Sequence, residues 1–408
     1  MTDHHPDSVL RHRPFVLFWF ARLALTIGYQ MLIVAVAWQL YALTNDPFDL
    51  GLIGLIQFIP AMLLFLVVGQ VTDRYDRRMV LLACQIIEAI AAATLLAAVL
   101  TEAISRDLIL GAAFILGIAR AFEVTVMQIM VPSLVPITLV PRAVAGSATA
   151  NQAATITGPA LGGFLYAAGP AVVYSASLAL FAAAALLTLM IRMERSALAR
   201  EPMTLSTFFA GFAFIRRNPI VFGVISLDLF VVLLGGVTAL LPVFARDVFA
   251  AGPWALGLLR AAPGAGALTM ALVLTRWPIE HGAGKMMFAA VAGYGLSTLV
   301  FALSNNFVVA LAALVVLGAS DMVSVVIRMT LVQLGTPDEV RGRVTAVNGL
   351  FIGASNQLGE FRAGAMASWI GAVPAVLVGS VGTLVITLIW TKLFPELWRA
   401  DRMDGVRS

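Results

Sequence analysis

Ten residues, Gly69-Gln70-Val71-Thr72-Asp73-Arg74-Tyr75-Asp76-Arg77-Arg78, carry two acids and three arginines between two apolar runs, Leu50 to Val68 and Met79 to Leu100. Each run is long enough to cross a bilayer, whose hydrocarbon core of about 30 Å takes roughly 20 helical residues. The charged stretch is therefore a short water-side hairpin joining two spanning helices. Three arginines in so short a loop place it on the cytoplasmic side. Asp73 follows the end of one helix and Arg77 and Arg78 precede the next, an arrangement suited to salt bridges and helix-end contacts.

The same pattern repeats along the chain. It predicts twelve spanning helices, over about 15–42, 50–71, 79–100, 108–131, 144–168, 171–192, 220–245, 254–276, 285–303, 307–332, 345–369 and 372–394. With the N-terminus inside, the inner segments hold 19 Lys and Arg and the outer loops only Arg106 and Arg246. Both termini are thus expected in the cytoplasm. Hydrophobic residues make up 61% of the chain and charged residues 12%, too little polar surface for a soluble globule. The net charge of +4 belongs to cytoplasmic loops and does not suggest nucleic acid. The single Cys84 lies in an apolar run, and His4, His5, His12 and His281 are scattered, so neither disulfide framework nor metal centre is expected. The polar start, Met1 to Arg13, does not read as a cleavable signal.

The longest cytoplasmic connection, Arg192 to Pro219, divides the chain. It predicts an N-terminal six-helix bundle over 1–195, a linker over 196–219 and a C-terminal six-helix bundle over 220–408. Within the linker, Leu205 to Phe214 reads as a short aromatic helix at the inner leaflet. The halves look like a weak repeat. Asn151 to Gly162 and Asn348 to Gly359 share one separation, and Leu50-Gly51-Leu52 with Pro60 parallels Leu256-Gly257-Leu258 with Pro263. Two related halves are the design of a rocking transporter with its site near the midplane.

The hairpin Gly69, Asp73, Arg74, Arg77, Arg78 resembles motif A of the major facilitator superfamily, with Asp76 where that family usually has glycine. Gly158, Pro159, Gly162 and Gly163 resemble motif C of its exporters, although Ala145 and Ala154 replace two further glycines. Small residues let helices approach closely, so close packing alone would also account for them. With Gly335 to Val344 and Arg216-Arg217-Asn218-Pro219, the chain resembles the bacterial enterobactin-exporter and macrolide-efflux branch of that superfamily. The resemblance implies an all-α fold of twelve transmembrane helices in two pseudo-symmetric bundles. It also implies that Asp73 and its arginines gate the conformational change.

Five acids and five arginines fall within the predicted spans: Glu88, Glu123, Asp228, Asp321 and Glu360 against Arg22, Arg120, Arg260, Arg328 and Arg362. Unpaired charges in lipid are costly, so pairing is expected. Helices 1, 4, 7 and 10 line the cavity in the superfamily fold, which selects Arg22, Arg120, Glu123, Asp228, Asp321 and Arg328. Arg120 resembles the helix-4 arginine of antiporters. Arg120 and Glu123, three apart, share one helix face, either as a proton-coupling pair or as a permanent ion pair. Asp228 is the other candidate proton carrier. Glu88 reads as structural, and Gln30, Gln57 and Gln128 as polar handles. The reading is a monomeric inner-membrane secondary transporter, without cofactor, exporting a small amphiphile such as a siderophore or drug in exchange for protons. The alternatives are a proton-coupled importer on the same fold and a polytopic membrane enzyme, for which no catalytic cluster stands out. No G-x-x-x-x-G-K-[ST] loop is present to couple ATP.

Overall fold

A computed structural model describes residues 8–192 and 205–401, without the side chains of 65, 66, 73 and 205–208. The segment 193–204, which includes the start of the predicted linker, lies outside the described residues. Among the described residues the regular structure is helical and contains no strand. The helices are α1 (Arg13–Thr44), α2 (Pro47–Leu63), α3 (Phe65–Arg74), α4 (Arg77–Leu100), α5 (Arg106–Met130), α6 (Val140–Ala167), α7 (Pro170–Met190) and α8 (Leu205–Arg217). They continue as α9 (Pro219–Gly235), α10 (Val237–Val243), α11 (Pro253–Arg276), α12 (Ala283–Leu303), α13 (Phe307–Leu334), α14 (Asp338–Ile370), α15 (Ala372–Leu393) and α16 (Pro395–Arg399).

Helix starts follow capping chemistry. Side chains of Asp76, Ser105, Asn218 and Asn306 accept bonds from the amides of Arg78, Leu108, Val221 and Val308 at 2.9, 3.3, 3.2 and 2.8 Å. Each satisfies a donor that the first turn leaves open. Asp76, where the motif usually has glycine, is thus the N-cap of α4.

Among the described residues nine helices are long and apolar enough to cross a membrane. The other three predicted spans are also helical but carry weaker signals. Residues 47–74 divide into α2 and α3 at Leu64, where the bonds Leu64 N to Pro60 O and Val68 N to Leu64 O still bridge the interruption. α6 is rich in Ala, Ser, Thr and Gly, and α14 holds Asn348, Glu360 and Arg362. α14 begins at Asp338, seven residues before the predicted 345, because Pro337 and the acidic Asp338 and Glu339 suit a first helical turn.

The predicted helix 220–245 is two helices. α9 stops at Gly235, Gly236 turns left-handed at φ 46°, and α10 runs into a π-helical turn at Phe244–Val248. Only glycine adopts that φ without strain. The adjacent glycines and Pro242 were the signal, but hydropathy alone reads through them.

The chain forms two compact units, Met1–Leu43 with Ile56–Pro202, and Thr44–Leu55 with Met203–Ser408. In the first, Trp19 donates to Gly146 O at 2.9 Å, Gln85 to Thr188 Oγ1 at 3.0 Å, and Tyr174 Oη to Gln39 Oε1 at 2.5 Å. These bonds tie α1 to α6 and α7, and α4 to α7. In the second, Val224, Leu227, Phe288, Ile327, Leu331 and Trp390 form one buried core. α8 packs on α14 through Gly211 against the Arg343 backbone and Phe212 against Phe351, leaving Phe209 exposed. The backbone of Ala400 and Asp401 accepts from Gly284 and Ala283, closing the start of α12.

Candidate functional site

In the first unit, α5 presents Arg120 and Glu123 one turn apart. Their side chains pair at 2.6 Å through Nη1 and Oε1, the contact that the spacing predicts. The Arg120 guanidinium also lies over the Tyr29 ring, 4.5 Å from its centroid. Arg22 on α1 donates to Ser147 Oγ at 2.7 Å and feels the charges of Glu123 and Arg120.

Glu88 on α4 joins this cluster. It is wholly buried and feels the charges of Glu123 and Arg120. Among the described residues neither Glu88 oxygen nor Glu123 Oε2 has a hydrogen-bond partner. Sequence reasoning read Glu88 as structural and did not place it beside Glu123. Spacing within one helix shows which residues share a face, but not which charge a neighbouring helix brings.

In the second unit, Arg328 on α13 pairs with Asp228 on α9 and stands 3.6 Å from Asp321. Its Nε donates to Ser324 O at 3.3 Å. Asp228 is nearly buried, whereas the Asp321 side chain is 49% exposed. Glu360 feels the charge of Arg260. Arg362 serves a different purpose. Its Nε and Nη2 donate to Leu233 O and Leu234 O at 2.9 and 2.5 Å, the carbonyls that the end of α9 leaves open.

The motif-C-like residues lie on α6, all four buried. A Cβ on Gly158 would meet Gln30 Cβ at 2.6 Å, and one on Gly162 would meet Met31 Cα at 2.8 Å. Pro159 sits between them inside the helix. In the second unit a Cβ on Gly359 would meet Val232 O on α9 at 2.6 Å. The two members of the predicted repeat thus make the same kind of close contact, α6 on α1 and α14 on α9.

Among the motif-A-like residues, Arg78 donates through Nε to Thr188 O at 3.1 Å and through Nη2 to Leu189 O. Arg74 ends α3 exposed and Arg77 opens α4. Gly69 has no neighbour within 4 Å of a Cβ. The Asp73 side chain lies outside the described residues. Gln57 accepts from Tyr29 Oη at 3.4 Å, and Gln128 is exposed. Among the described residues no group of three or more His, Cys, Asp or Glu is placed to hold a metal.

A family model described as "Transmembrane secretion effector" matches residues 5–405. The chain belongs to this family of the major facilitator superfamily. As a facilitator it is 27% identical over 405 residues to the enterobactin exporter of Citrobacter koseri, covering 96% of this chain and 94% of that one. It is 28% identical over 408 residues to the enterobactin exporter of Escherichia coli O139:H28, with the same coverage. Solved facilitators share the fold. A point mutant of the nucleoside transporter NupG aligns with TM-score 0.73 at 14% identity over 93% of this chain and 100% of its own. A bacterial homologue of the iron transporter ferroportin aligns with TM-score 0.72 at 17% identity, over 95% and 99%. The protein is therefore a membrane transporter of this superfamily.

Proposed function

We propose that this facilitator is a monomeric, proton-coupled exporter in a bacterial inner membrane, with both termini cytoplasmic. It moves a small amphiphilic organic molecule, such as a siderophore or drug, outward by alternating access. The observation that carries the coupling is the buried Glu123, paired with Arg120 through one oxygen while the other has no hydrogen-bond partner among the described residues. An ionisable side chain inside a membrane is a functional candidate, and this one can exchange its arginine for a proton. The Asp228–Arg328 pair offers the same exchange in the second unit. Export is supported by the relatives matched over nearly their whole length, which are enterobactin exporters.

The substrate is first identified by comparing metabolites released by cells with and without the protein. Its flux is then measured in proteoliposomes with and without an imposed pH gradient. Glu123→Gln or Asp228→Asn should reduce gradient-driven transport to the protein-free level while downhill exchange persists. Full gradient-driven transport by both variants refutes the assignment of the proton to either acid. Accumulation in the opposite direction refutes export.

A further inference from the structure

We propose that a cleft at one end of the first unit binds the phosphate headgroup of an anionic glycerophospholipid. The cleft has a volume of about 570 Å³ and is lined by Arg13, Pro14, Leu17, Arg78, Leu189, Met190 and Arg192. Among the described residues it combines three arginines with four apolar side chains and no acid. That combination suits an anionic headgroup continued by an acyl chain.

The electrostatics of the surrounding helices favour an anion. The cleft lies where α1 and α4 begin and α7 ends. Helix N-termini carry partial positive charge and are best matched by acids. Yet α1 and α4 have no acid in their first turns, and both begin with arginine. The negative end of α7 does not offset this, because Arg78 already occupies the carbonyls of Thr188 and Leu189. Asp76 is nearby in sequence but accepts from the Arg78 amide as the cap of α4. Arginine forms bidentate contacts with phosphate, and those of Arg13 and Arg192 are exposed. The Lys and Arg count assigns these helix ends to the cytoplasm, where basic pockets between spanning helices take lipid headgroups.

The test follows the thermal midpoint of the detergent-purified full chain during titration with dioleoylphosphatidylglycerol, dioleoylphosphatidylcholine or inorganic phosphate. Phosphatidylglycerol should raise the midpoint saturably, and the other two should not. The double variant Arg13→Gln/Arg192→Gln should weaken half-saturation roughly thirtyfold. Arg78 is left intact because it also holds the end of α7. Arg106→Gln, at the start of α5, serves as a charge control and should bind as the parent does. An equal response to phosphatidylcholine overturns headgroup recognition. An equal response to inorganic phosphate replaces the lipid with a soluble anion. Parental binding by the double variant, or an equal loss in the control, removes the site from this cleft. None of these readings depends on transport, so they stand apart from the outcome of the flux experiment.

Discussion

At the scale of the residue, the resemblance to motif C becomes a distance. Gly158 faces Gln30 so closely that even a methyl would sit 2.6 Å from its Cβ. Small size alone therefore does not make alanine harmless there. Replacing glycine by alanine inside a helix gains about 1 kcal/mol of propensity. Overpacking a close contact costs roughly 1–3 kcal/mol, so the clash outweighs the gain. Gly158→Ala should lower the thermal midpoint in detergent and reduce transport, and Gly158→Leu should reduce both further. An alanine variant that melts above the parent would show that α1 yields at Gln30. The sequence identified the small residues, but their partner on α1 lies more than a hundred positions away and appears only when the helices pack.

At the scale of the element, the break between α9 and α10 is held from outside. The end of a helix leaves carbonyls open, and here Arg362 bonds those of Leu233 and Leu234. Each of these half-buried carbonyls left without its donor costs up to about 1–3 kcal/mol. Arg362→Met keeps much of the length and removes both bonds, so it should lower the midpoint clearly, while Arg362→Lys should recover part of the loss. A methionine variant that melts with the parent would show that water replaces the guanidinium. Much of the helical order was legible because apolar runs and basic loops report membrane crossings directly. The break was not, since Gly235 and Gly236 interrupt a run without lowering its hydropathy. Nor was the proximity of Glu88 to Glu123, 35 positions apart in the sequence, because the packing of α4 on α5 brings them together.

At the scale of the whole molecule, the even balance of five acids and five arginines within the spans does not persist in the fold. Arg362 is spent on backbone carbonyls. Arg22 and Arg120 accompany Glu88 and Glu123, and Arg260 accompanies Glu360. Arg328 then faces both Asp228 and Asp321, so two carboxylates share one guanidinium. The fold thus makes Asp228 and Asp321 alternatives for one partner. Asp228→Asn and Asp321→Asn each leave Arg328 with one carboxylate, and each should melt close to the parent. The double variant leaves Arg328 nearly buried without an acid, a loss on the order of 3–5 kcal/mol for an uncompensated charge. Its midpoint should fall far below the sum of the single effects. If the proton binds to this shared pair of acids, both single variants should lose gradient-driven transport while staying folded. A double variant whose stability loss only adds the two singles would show that Arg328 does not bridge the pair. An Asp321→Asn protein with full gradient-driven transport would show that sharing Arg328 between two acids is not needed for coupling and leave the assignment with Glu123 or Asp228.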